Sequence, residues 1–317
     1  MKLWLRGLLA TGLLIVASAA VFVLEPLWVN DQVVRGQLWR QHVASRFVDV
    51  DGYRIHYFEA TAPGGGGKPL VLIHGLGSRG EDWTPMIPGL AAHGFHVYAP
   101  DLPGYGRSPQ PDVDYSIAFQ ENAVDHFMQA EGLTQADIGG WSMGGWVAAK
   151  LALDHPEKVH RLVLYDAAGV YFPPTFDPSL FTPQDAGGLA QLMAMLTPAP
   201  KPMAGFVSRA VVRRLHANAW VIDRSVAAME SGKELLDFRL HEIRQPTLVV
   251  WGGEDRLIPL AAGLTMHHDI RGSSMLVVAG CGHLAPGECS RPVLKGTLDF
   301  LNAEPAVQGA ESVVPGR

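Results

Sequence analysis

The amino-acid sequence predicts an α/β fold, with a mostly parallel central sheet covered by helices on both faces. Short apolar runs alternate along the chain with segments of helical periodicity, which is the pattern of parallel strands joined by helical crossovers. The 317 residues are 48% hydrophobic and can bury one large core, and single α/β domains of this length are common. The predicted buried strands lie at residues 70–74, 94–99, 136–140, 161–166, 246–251 and 274–279.

The first element in chain order is an uncharged apolar run over residues 7–24, preceded by Lys2 and Arg6 and followed by Glu25. Its 18 residues would span about 27 Å as a helix, close to the ~30 Å hydrocarbon core of a bilayer. We therefore expect residues 1–28 to form a single-span transmembrane anchor. The basic residues before the run indicate a cytoplasmic N-terminus, which places the rest of the chain on the extracytoplasmic (periplasmic) side.

A cleaved signal peptide is the alternative for this segment. Ala17 and Ala19 match an A-x-A cleavage site, and cleavage there would give a secreted protein. The apolar run continues past that site to Leu24, and Trp4 and Trp28 flank the run at interface positions. Both observations favour a retained anchor.

The segments around the predicted sheet divide the chain further. Residues 29–45 are mostly polar and predict a helical linker, and residues 48–59 predict a β-hairpin that turns at Asp51-Gly52. Residues 303–317 contain few large apolar side chains and predict a disordered tail. The α/β core is therefore expected at 46–166 and 244–302.

Residues 167–243 interrupt the alternation of strands and helices. They contain proline clusters and helical patterns near 184–196 and 203–220, and they fall between two predicted strands. We expect an inserted helical cap here. Met193 and Phe206 are candidates for lining a substrate pocket beneath it, and ordinary packing of the cap onto the core is the alternative explanation for both.

The pentapeptide GWSMG at residues 140–144 predicts a nucleophilic serine. It follows a predicted strand and precedes a helical pattern at 145–155. Small residues at both ends allow a tight turn between strand and helix, which exposes the hydroxyl of Ser142. Trp141, beside this serine, is a further candidate for substrate binding.

A serine hydroxyl needs a base to remove its proton and an acid to orient that base. The strand at 246–251 ends in a turn that contains Asp255, and the strand at 274–279 runs into a glycine turn that contains His283. Because sites in open α/β sheets lie at the carboxyl ends of the strands, we expect these side chains to meet Ser142 there. Asp166 also ends a predicted strand and is the rival candidate for the acid.

An oxyanion hole is predicted at the end of the strand at 70–74, which runs into His74-Gly75-Leu76-Gly77. The backbone N–H of Leu76 and that of Met143, the residue after the serine, are the expected donors. We expect His74 to hold this loop by hydrogen bonds rather than to act as a base.

The ordered motifs of residues 46–302 resemble the α/β-hydrolase family. Within that family the chain looks most like membrane-anchored monoacylglycerol lipases and bacterial family V lipases, through its SMGG sequence, its anchor and DAAGVYF at 166–172. The resemblance implies a triad of Ser142, Asp255 and His283 and an oxyanion hole of Leu76 and Met143. The motifs are HGLG at 74–77, DLPGYGRS at 101–108, GWSMGG at 140–145, GGEDRLIP at 252–259 and GCGHLAPGE at 280–288.

Charge and cysteine content exclude several other classes. The net charge is −6 and no basic patch is evident, so a nucleic-acid partner is not expected. No metal-ligand spacing and no nucleotide-binding glycine loop is present, so we expect neither a metal nor a cofactor. Cys281 and Cys289 are too few for a disulfide framework and are expected to be small buried residues, with a single bridge as the alternative.

The sequence therefore predicts a serine hydrolase of carboxylic esters, acting on lipid-like esters such as monoacylglycerols. The alternatives within enzymes are hydrolysis of small non-lipid esters, thioesters or C–C bonds, because a fold alone does not choose among these reactions. A non-catalytic binding protein on the same fold would not need an intact triad together with both oxyanion donors. The sequence leaves the oligomeric state open.

Overall fold

The computed structural model describes Trp4, Thr11, Leu13 and residues 17–316. Residues 17–24 are helical, and part of the predicted anchor at 7–24 lies outside the described residues. None of the helices in the described part of the chain is long and apolar enough to cross a bilayer.

In the described part of the chain, nine strands form one sheet in the order β1-β2-β4-β3-β5-β6-β7-β8-β9. The strands from β4 to β9 pair in parallel, whereas β1 and β2 form an antiparallel hairpin whose second strand is antiparallel to β4. The mostly parallel sheet confirms the predicted α/β class. The strands are β1 (Ala44–Val50), β2 (Tyr53–Ala60), β3 (Lys68–Ile73), β4 (Phe95–Pro100), β5 (Ala136–Trp141), β6 (Val159–Tyr165), β7 (Thr247–Gly252), β8 (Ser274–Ala279) and β9 (Glu311–Pro315).

Helices cover both faces of the sheet because the central strands are apolar on both faces. Along β6, Leu162 and Leu164 belong to one buried cluster, while Val163 and Tyr165 belong to the other. The first cluster includes side chains of α3, α4 and α8, and the second includes side chains of α1, α2 and α10. The helices are α1 (Pro26–Arg40), α2 (Ile87–Ala92), α3 (Ile117–Ala130), α4 (Met143–Asp154), α5 (Ala186–Leu196), α6 (Gly205–Ala217), α7 (Ala219–Glu230), α8 (Leu260–Asp269), α9 (Ala285–Glu288) and α10 (Ser290–Asn302).

Three helices, α5, α6 and α7, lie in the segment between β6 and β7. Helix α5 begins at an Asp185 N-cap, whose carboxylate accepts the backbone N–H of Gly188 at 2.9 Å. A small cluster of buried leucines and valines joins α5 to α6 and is separate from the two large clusters on the sheet. Glu234, just beyond α7, accepts the free N–H groups of Ile117 and Ala118 and so ties this segment to the first turn of α3.

Helix α1 occupies most of the predicted linker and is fastened to the rest of the protein by one carboxylate. Asp31 accepts hydrogen bonds from Arg79, in the loop after β3, and from Arg214 on α6, each at 2.9 Å. Burial alone raises the pKa of Asp31, but the two guanidinium groups outweigh burial and hold it below its usual range. The polar side chains of this segment therefore include one that forms specific ion pairs with the rest of the protein, so the segment is not a free linker.

The disordered tail predicted at 303–317 is wrong for residues 311–315, which form β9. This strand pairs in parallel with β8, from Met275 opposite Glu311 to Ala279 opposite Pro315. Most of its side chains are exposed, so backbone pairing rather than burial accounts for its position. Because residues 303–317 lack the apolar pattern of a buried strand, β9 could not be predicted from the sequence.

Candidate active site

Ser142 lies on the turn that joins β5 to α4. Its backbone has φ 56° and ψ −121°, a region that costs energy for any residue with a side chain. The turn is held in place because the Ser142 N–H donates to the carbonyl of Tyr165 and its carbonyl accepts the N–H of Ala168, each at 3.0 Å. The strained serine predicted from the pentapeptide is therefore present, at the carboxyl end of a central strand.

Two glycines allow the chain to pass close to this serine. A Cβ on Gly144 would overlap the main-chain carbonyl oxygens of Ile73 and His74, so α4 can approach the end of β3 only with glycine here. A Cβ on Gly75 would lie 3.0 Å from the Cβ of Ser142. Glycine at 75 therefore brings the loop after β3 against the nucleophile.

His283 and Asp255 form a buried pair. The Nδ1 of His283 lies 2.8 Å from the Oδ2 of Asp255, and only 2% of the His283 residue is exposed. The other oxygen of Asp255 accepts the backbone N–H groups of Leu257 and Ile258, at 2.8 and 3.0 Å. With Nδ1–H donated to the carboxylate, Nε2 is the nitrogen that can accept a proton.

Asp166, the rival acid, lies at the end of β6 and has a different environment. It is fully buried, and its Oδ1 accepts the backbone N–H of Gly252 at 2.6 Å. Burial, followed by the charge of Asp255, raises the pKa of Asp166 well above its usual value. Within the described part of the chain Asp166 makes no hydrogen bond to His283, so of the two carboxylates it is Asp255 that contacts His283.

The two predicted oxyanion donors have unpaired N–H groups. Met143 is the first residue of α4, and its N–H is one of the free donors at a helix N-terminus. Among the described residues, neither the Leu76 N–H nor the Met143 N–H donates a hydrogen bond to the protein. Both remain available for a developing negative charge.

His74 holds the oxyanion loop, as its sequence context predicts. Its Nδ1 bonds the carbonyl of Gly75 at 2.8 Å, and its Nε2 accepts the N–H of Leu102 at 3.0 Å. Complete burial lowers the pKa of His74, so the ring is neutral and has no remaining nitrogen with which to act as a base.

Asp101 fastens the same loop from the opposite side. Its carboxylate accepts the N–H of Gly80 at 2.7 Å, the N–H of Arg107 at 2.8 Å and the Nδ1 of His56 at 2.7 Å. Burial alone raises the pKa of Asp101, but the hydrogen bond and charge of His56 outweigh it and hold the pKa below its usual range. Asp101 of the DLPGYGRS motif thus helps to hold the loop after β3 in place.

Trp141 contacts the base loop. Its indole N–H donates to the main-chain carbonyl of His283 at 2.8 Å, and the two ring centroids are 5.9 Å apart. This contact gives Trp141 a partner within the protein. Its predicted role in substrate binding stays a prediction.

The other two candidate substrate-binding residues also have protein partners. Met193 packs against the small cluster that joins α5 to α6. Phe206 makes an edge-to-face contact with Phe22 of the helical segment 17–24, with centroids 5.6 Å apart. Packing, the alternative explanation for both, accounts for these contacts, and substrate binding by either residue stays a prediction.

Several cap residues near the site were not singled out from the sequence. Residues 196–198 lie directly against Gly282. A Cβ added to Gly282 would lie 2.6 Å from the carbonyl oxygen of Leu196. The guanidinium of Arg256 donates to the carbonyl of Ala194 at 3.3 Å. The Cδ1 of Ile222 on α7 lies 3.9 Å from the position of a Cβ on Gly77. These residues lie near Gly77, Arg256 and Gly282 only because of the path that the chain follows between β6 and β7. No local sequence signal therefore identifies them.

Cys281 and Cys289 form a disulfide with their Cα atoms 6.4 Å apart, which corrects the expectation of two free buried cysteines. The bridge spans the loop that carries His283. Gly316, beyond β9, covers it, because a Cβ there would overlap the sulfur of Cys281. The described residues include no cluster of three or more His, Cys, Asp or Glu side chains that could hold a metal ion.

Comparison with known proteins gives a consistent fold. A profile of the α/β hydrolase fold family matches residues 68–288. A 2-hydroxy-6-oxononadienedioate/2-hydroxy-6-oxononatrienedioate hydrolase of Cupriavidus pinatubonensis is 30% identical over 287 residues, which cover 81% of this chain and 95% of that protein.

Two solved structures extend the comparison. A membrane phospholipase A, described as a bacterial virulence factor, superposes with a TM-score of 0.79 at 28% identity, covering 96% of this chain and all (100%) of that one. A candidate lipase from Acinetobacter baumannii superposes with a TM-score of 0.77 at 22% identity, covering 86% of this chain and 95% of that one, a likeness that supports the fold alone.

Proposed function

This chain belongs to the α/β hydrolase fold family, and on that premise we propose that it is a serine hydrolase of carboxylic esters. Ser142 is the nucleophile, His283 the general base and Asp255 the acid that orients it. The observation that carries the proposal is the buried bond of 2.8 Å between His283 and Asp255. It fixes the tautomer in which Nε2 can accept a proton.

The reaction follows from these positions. As the Oγ of Ser142 attacks the ester carbonyl carbon, its proton passes to the Nε2 of His283. The carbonyl oxygen becomes an oxyanion that accepts the N–H groups of Leu76 and Met143. Collapse of this intermediate breaks the ester C–O bond, and His283 protonates the departing alcohol. Water then repeats the sequence on the acyl-enzyme and releases the acid and the free serine.

Lipid-like esters, such as monoacylglycerols, are the proposed substrates. The similar membrane phospholipase A supports this choice, because its likeness extends over nearly the whole chain at 28% identity. The cap segment at 194–198, which lies against the acid and base loops, includes the apolar Met195 and Leu196. The finer resemblance to monoacylglycerol lipases and bacterial family V lipases points the same way.

We place the catalytic domain outside the cytoplasm, held at the membrane by the N-terminal segment. The disulfide between Cys281 and Cys289 supports an oxidising compartment, because such bonds persist outside the reducing cytosol. Secretion after cleavage at Ala19 is the alternative.

Hydrolysis of a C–C bond is the second candidate. It is favoured by the names of two relatives, a 2-hydroxy-6-oxononadienedioate/2-hydroxy-6-oxononatrienedioate hydrolase at 30% identity and a 2-hydroxy-6-oxo-6-phenylhexa-2,4-dienoate hydrolase at 28% identity. The same serine, base and oxyanion donors would serve that reaction, so the geometry does not exclude it.

The test is a substrate panel assayed with the full-length protein and with Ser142→Ala. We expect kcat/KM for 4-nitrophenyl esters to rise with acyl length, up to about fourfold per carbon while each CH₂ is buried. Monoacylglycerols should be hydrolysed, and 2-hydroxy-6-oxo-dienedioates should not. Ser142→Ala should lose on the order of 10⁴-fold or more in turnover, and a fluorophosphonate should label Ser142 alone.

Two results would decide against the proposal. An acyl profile that peaks at acetate would favour small esters, whereas turnover of the dienedioates above the esters would favour C–C hydrolysis. Polar substitution of Met193 separates its two roles: a pocket residue would selectively reduce activity on long chains, but a packing residue would lower stability and leave the profile unchanged.

A further inference from the structure

The cap carries a local positive charge in an acidic protein. The chain has a net charge of −6, yet residues 186–222 contain no aspartate or glutamate. The same stretch contains Lys201, Arg209, Arg213 and Arg214. The expectation that the chain has no basic patch therefore does not hold for this segment.

Helix α6 directs two of these cations away from the protein. Arg209 and Arg213 are four residues apart and share one face of the helix, and both are exposed, whereas Ser208, Ala210 and Val212 of the same helix are buried. Lys201 and Arg209 are exposed and have no ion-pair or hydrogen-bond partner among the described residues. Within the described part of the chain, Arg213 donates only to the carbonyl of Leu24, at 3.3 Å. Arg214 differs, because it is bound to Asp31.

Exposed apolar side chains lie beside these cations. Phe22 is 51% exposed and touches Phe206 on α6, and Met203 is 37% exposed between Lys201 and the helix. Leu24 and Trp28 are also more than half exposed. We call the surface formed by Phe22, Met203, Lys201, Arg209 and Arg213 the basic cap face.

We propose that the basic cap face binds the surface of an anionic lipid bilayer. Cations that have no carboxylate partner among the described residues, next to exposed apolar side chains, suit this partner, since the cations meet lipid phosphates while the apolar groups enter the interface. An acidic polypeptide or a nucleic acid would satisfy the charges but would leave Phe22 and Met203 in water. Each Lys or Arg close to an anionic membrane strengthens binding about fivefold, so the three cations together contribute roughly 100-fold.

Binding through this face would bring the cap and the neighbouring His283 loop to the lipid. The cap that carries the basic face touches the His283 loop through residues 196–198. A bilayer that holds α6 would therefore hold this loop close to membrane esters. This step rests on the proposed function, whereas binding of the face to lipid does not.

The experiment uses the full-length protein in nanodiscs and a fluorescent probe that reports a change from water to lipid. The two native cysteines are bridged, so Met203→Cys supplies one free thiol for the probe NBD. We expect NBD emission at position 203 to be several-fold brighter and blue-shifted in discs that contain phosphatidylglycerol, compared with discs of phosphatidylcholine. High salt should reverse the change, because surface charge is screened within a few ångströms at molar ionic strength.

A triple variant tests the cations. Lys201→Gln/Arg209→Gln/Arg213→Gln should abolish the response to phosphatidylglycerol. Arg271→Gln/Arg291→Gln/Lys295→Gln removes the same charge from exposed positions outside the cap and should keep the response. The proposal is wrong if NBD stays in water in both kinds of disc, if the cap variant responds like the control, or if a dissolved acidic peptide or oligonucleotide produces the shift instead.

Activity separates this proposal from the proposed function. Hydrolysis of a dissolved short-chain 4-nitrophenyl ester, measured on the same samples, should be unchanged in both triple variants. A native protein that responds to the lipid but hydrolyses no ester would overturn the proposed function and leave the lipid surface standing.

Discussion

The indole N–H of Trp141 donates to the main-chain carbonyl of His283, so the residue before the proposed nucleophile directly holds the loop of the proposed base. A general base must stay within hydrogen-bond reach of the proton that it removes. The Asp255 carboxylate fixes the imidazole ring, whereas Trp141 fixes the backbone that carries it. Trp141 is therefore a positioning residue.

Replacing Trp141 with phenylalanine should lower kcat about tenfold and change KM little. Phenylalanine keeps an aromatic ring but leaves the His283 carbonyl without its donor, a loss of about 1–2 kcal/mol. Trp146→Phe is the matched control, because that indole also donates to a backbone carbonyl, of Glu234 at 2.9 Å, away from the base. Steady-state kinetics and melting curves of both variants decide the matter. Equal losses of kcat in the two variants would show that Trp141 has only a general structural role.

The Asn variants of the two carboxylates should separate their roles. Asp255→Asn removes the charge that stabilises the imidazolium and allows the wrong tautomer of His283, so kcat should fall by about 10⁴. Asp166→Asn keeps an oxygen for the Gly252 N–H and should retain most of the activity. The measurement is kcat at matched folding, verified by circular dichroism. A larger loss from Asp166→Asn would transfer the role of the acid to that residue.

The buried Asp166 should also make stability depend on pH. Its pKa is raised in the folded protein, so the stability that it contributes is present below its unfolded pKa, about 3.9, and is lost as pH rises through the folded value. The Tm of Asp166→Asn relative to the native protein should therefore increase with pH above about 4.

Asp154 serves as a comparison, because the pKa of its carboxyl is shifted in the opposite direction. Burial alone raises the pKa of Asp154, but hydrogen bonds from Lys150 and Arg239 outweigh it and hold the pKa below its usual value. The Tm of Asp154→Asn relative to the native protein should thus fall as pH rises towards about 4, the unfolded pKa, and should stay level above it. Parallel Tm profiles for the two variants would contradict the assignment of Asp166 as a carboxyl that resists ionisation.

Asp31 should contribute to the free energy of unfolding of the whole protein, although it lies in the predicted linker. Asp31→Asn leaves Arg79 and Arg214 facing each other, and we expect a loss of about 2 kcal/mol in the free energy of unfolding. Asp49→Asn, an exposed carboxylate on β1, is the control and should cost little. Urea unfolding measures both variants. For the same reason, deletion of residues 1–24 should preserve the fold better than deletion of residues 1–40.

Removing the disulfide should affect both stability and turnover. Cys281→Ser/Cys289→Ser opens a loop with a sequence separation of 8, which corresponds to about 2.5 kcal/mol in the chain-entropy estimate. His283 lies inside that loop, so kcat should fall as well. Melting and kinetic measurements with and without reductant check this, and the double variant should no longer respond to reductant. An unchanged kcat would show that Trp141 and Asp255 suffice to hold the base.

The strand ends and the nucleophile turn could be predicted because local sequence determines them. The apolar strands of a parallel sheet are buried on both faces, so their lengths and their order along the chain can be read from the apolar runs in the sequence. The glycines around Ser142 are required by a close approach that any sequence with this turn must satisfy. Those two facts place Ser142, Asp255 and His283 at one edge of the sheet before any coordinates are known.

The cap contacts could not be predicted in the same way. Helical periodicity identifies the apolar side chains of α6, but it does not say which neighbour they face. Phe206 contacts Phe22, which lies far away in the sequence, and Met193 packs against a small cluster that includes residues of both α5 and α6. The bridge between Cys281 and Cys289 likewise depends on a distance that spacing along the chain does not determine.

Strand β9 has a practical consequence for anyone who shortens this protein. Trimming it after Asn302, as its polar composition suggests, would leave β8 as the edge of the sheet, with a row of unsatisfied backbone N–H and C=O groups. The side chains of β8 are mostly apolar and buried, so the new edge would be a template for intermolecular pairing. A truncated protein should therefore aggregate from its folded state, and a soluble yield that falls on deletion of residues 303–317 would reflect lost edge protection rather than a damaged active site.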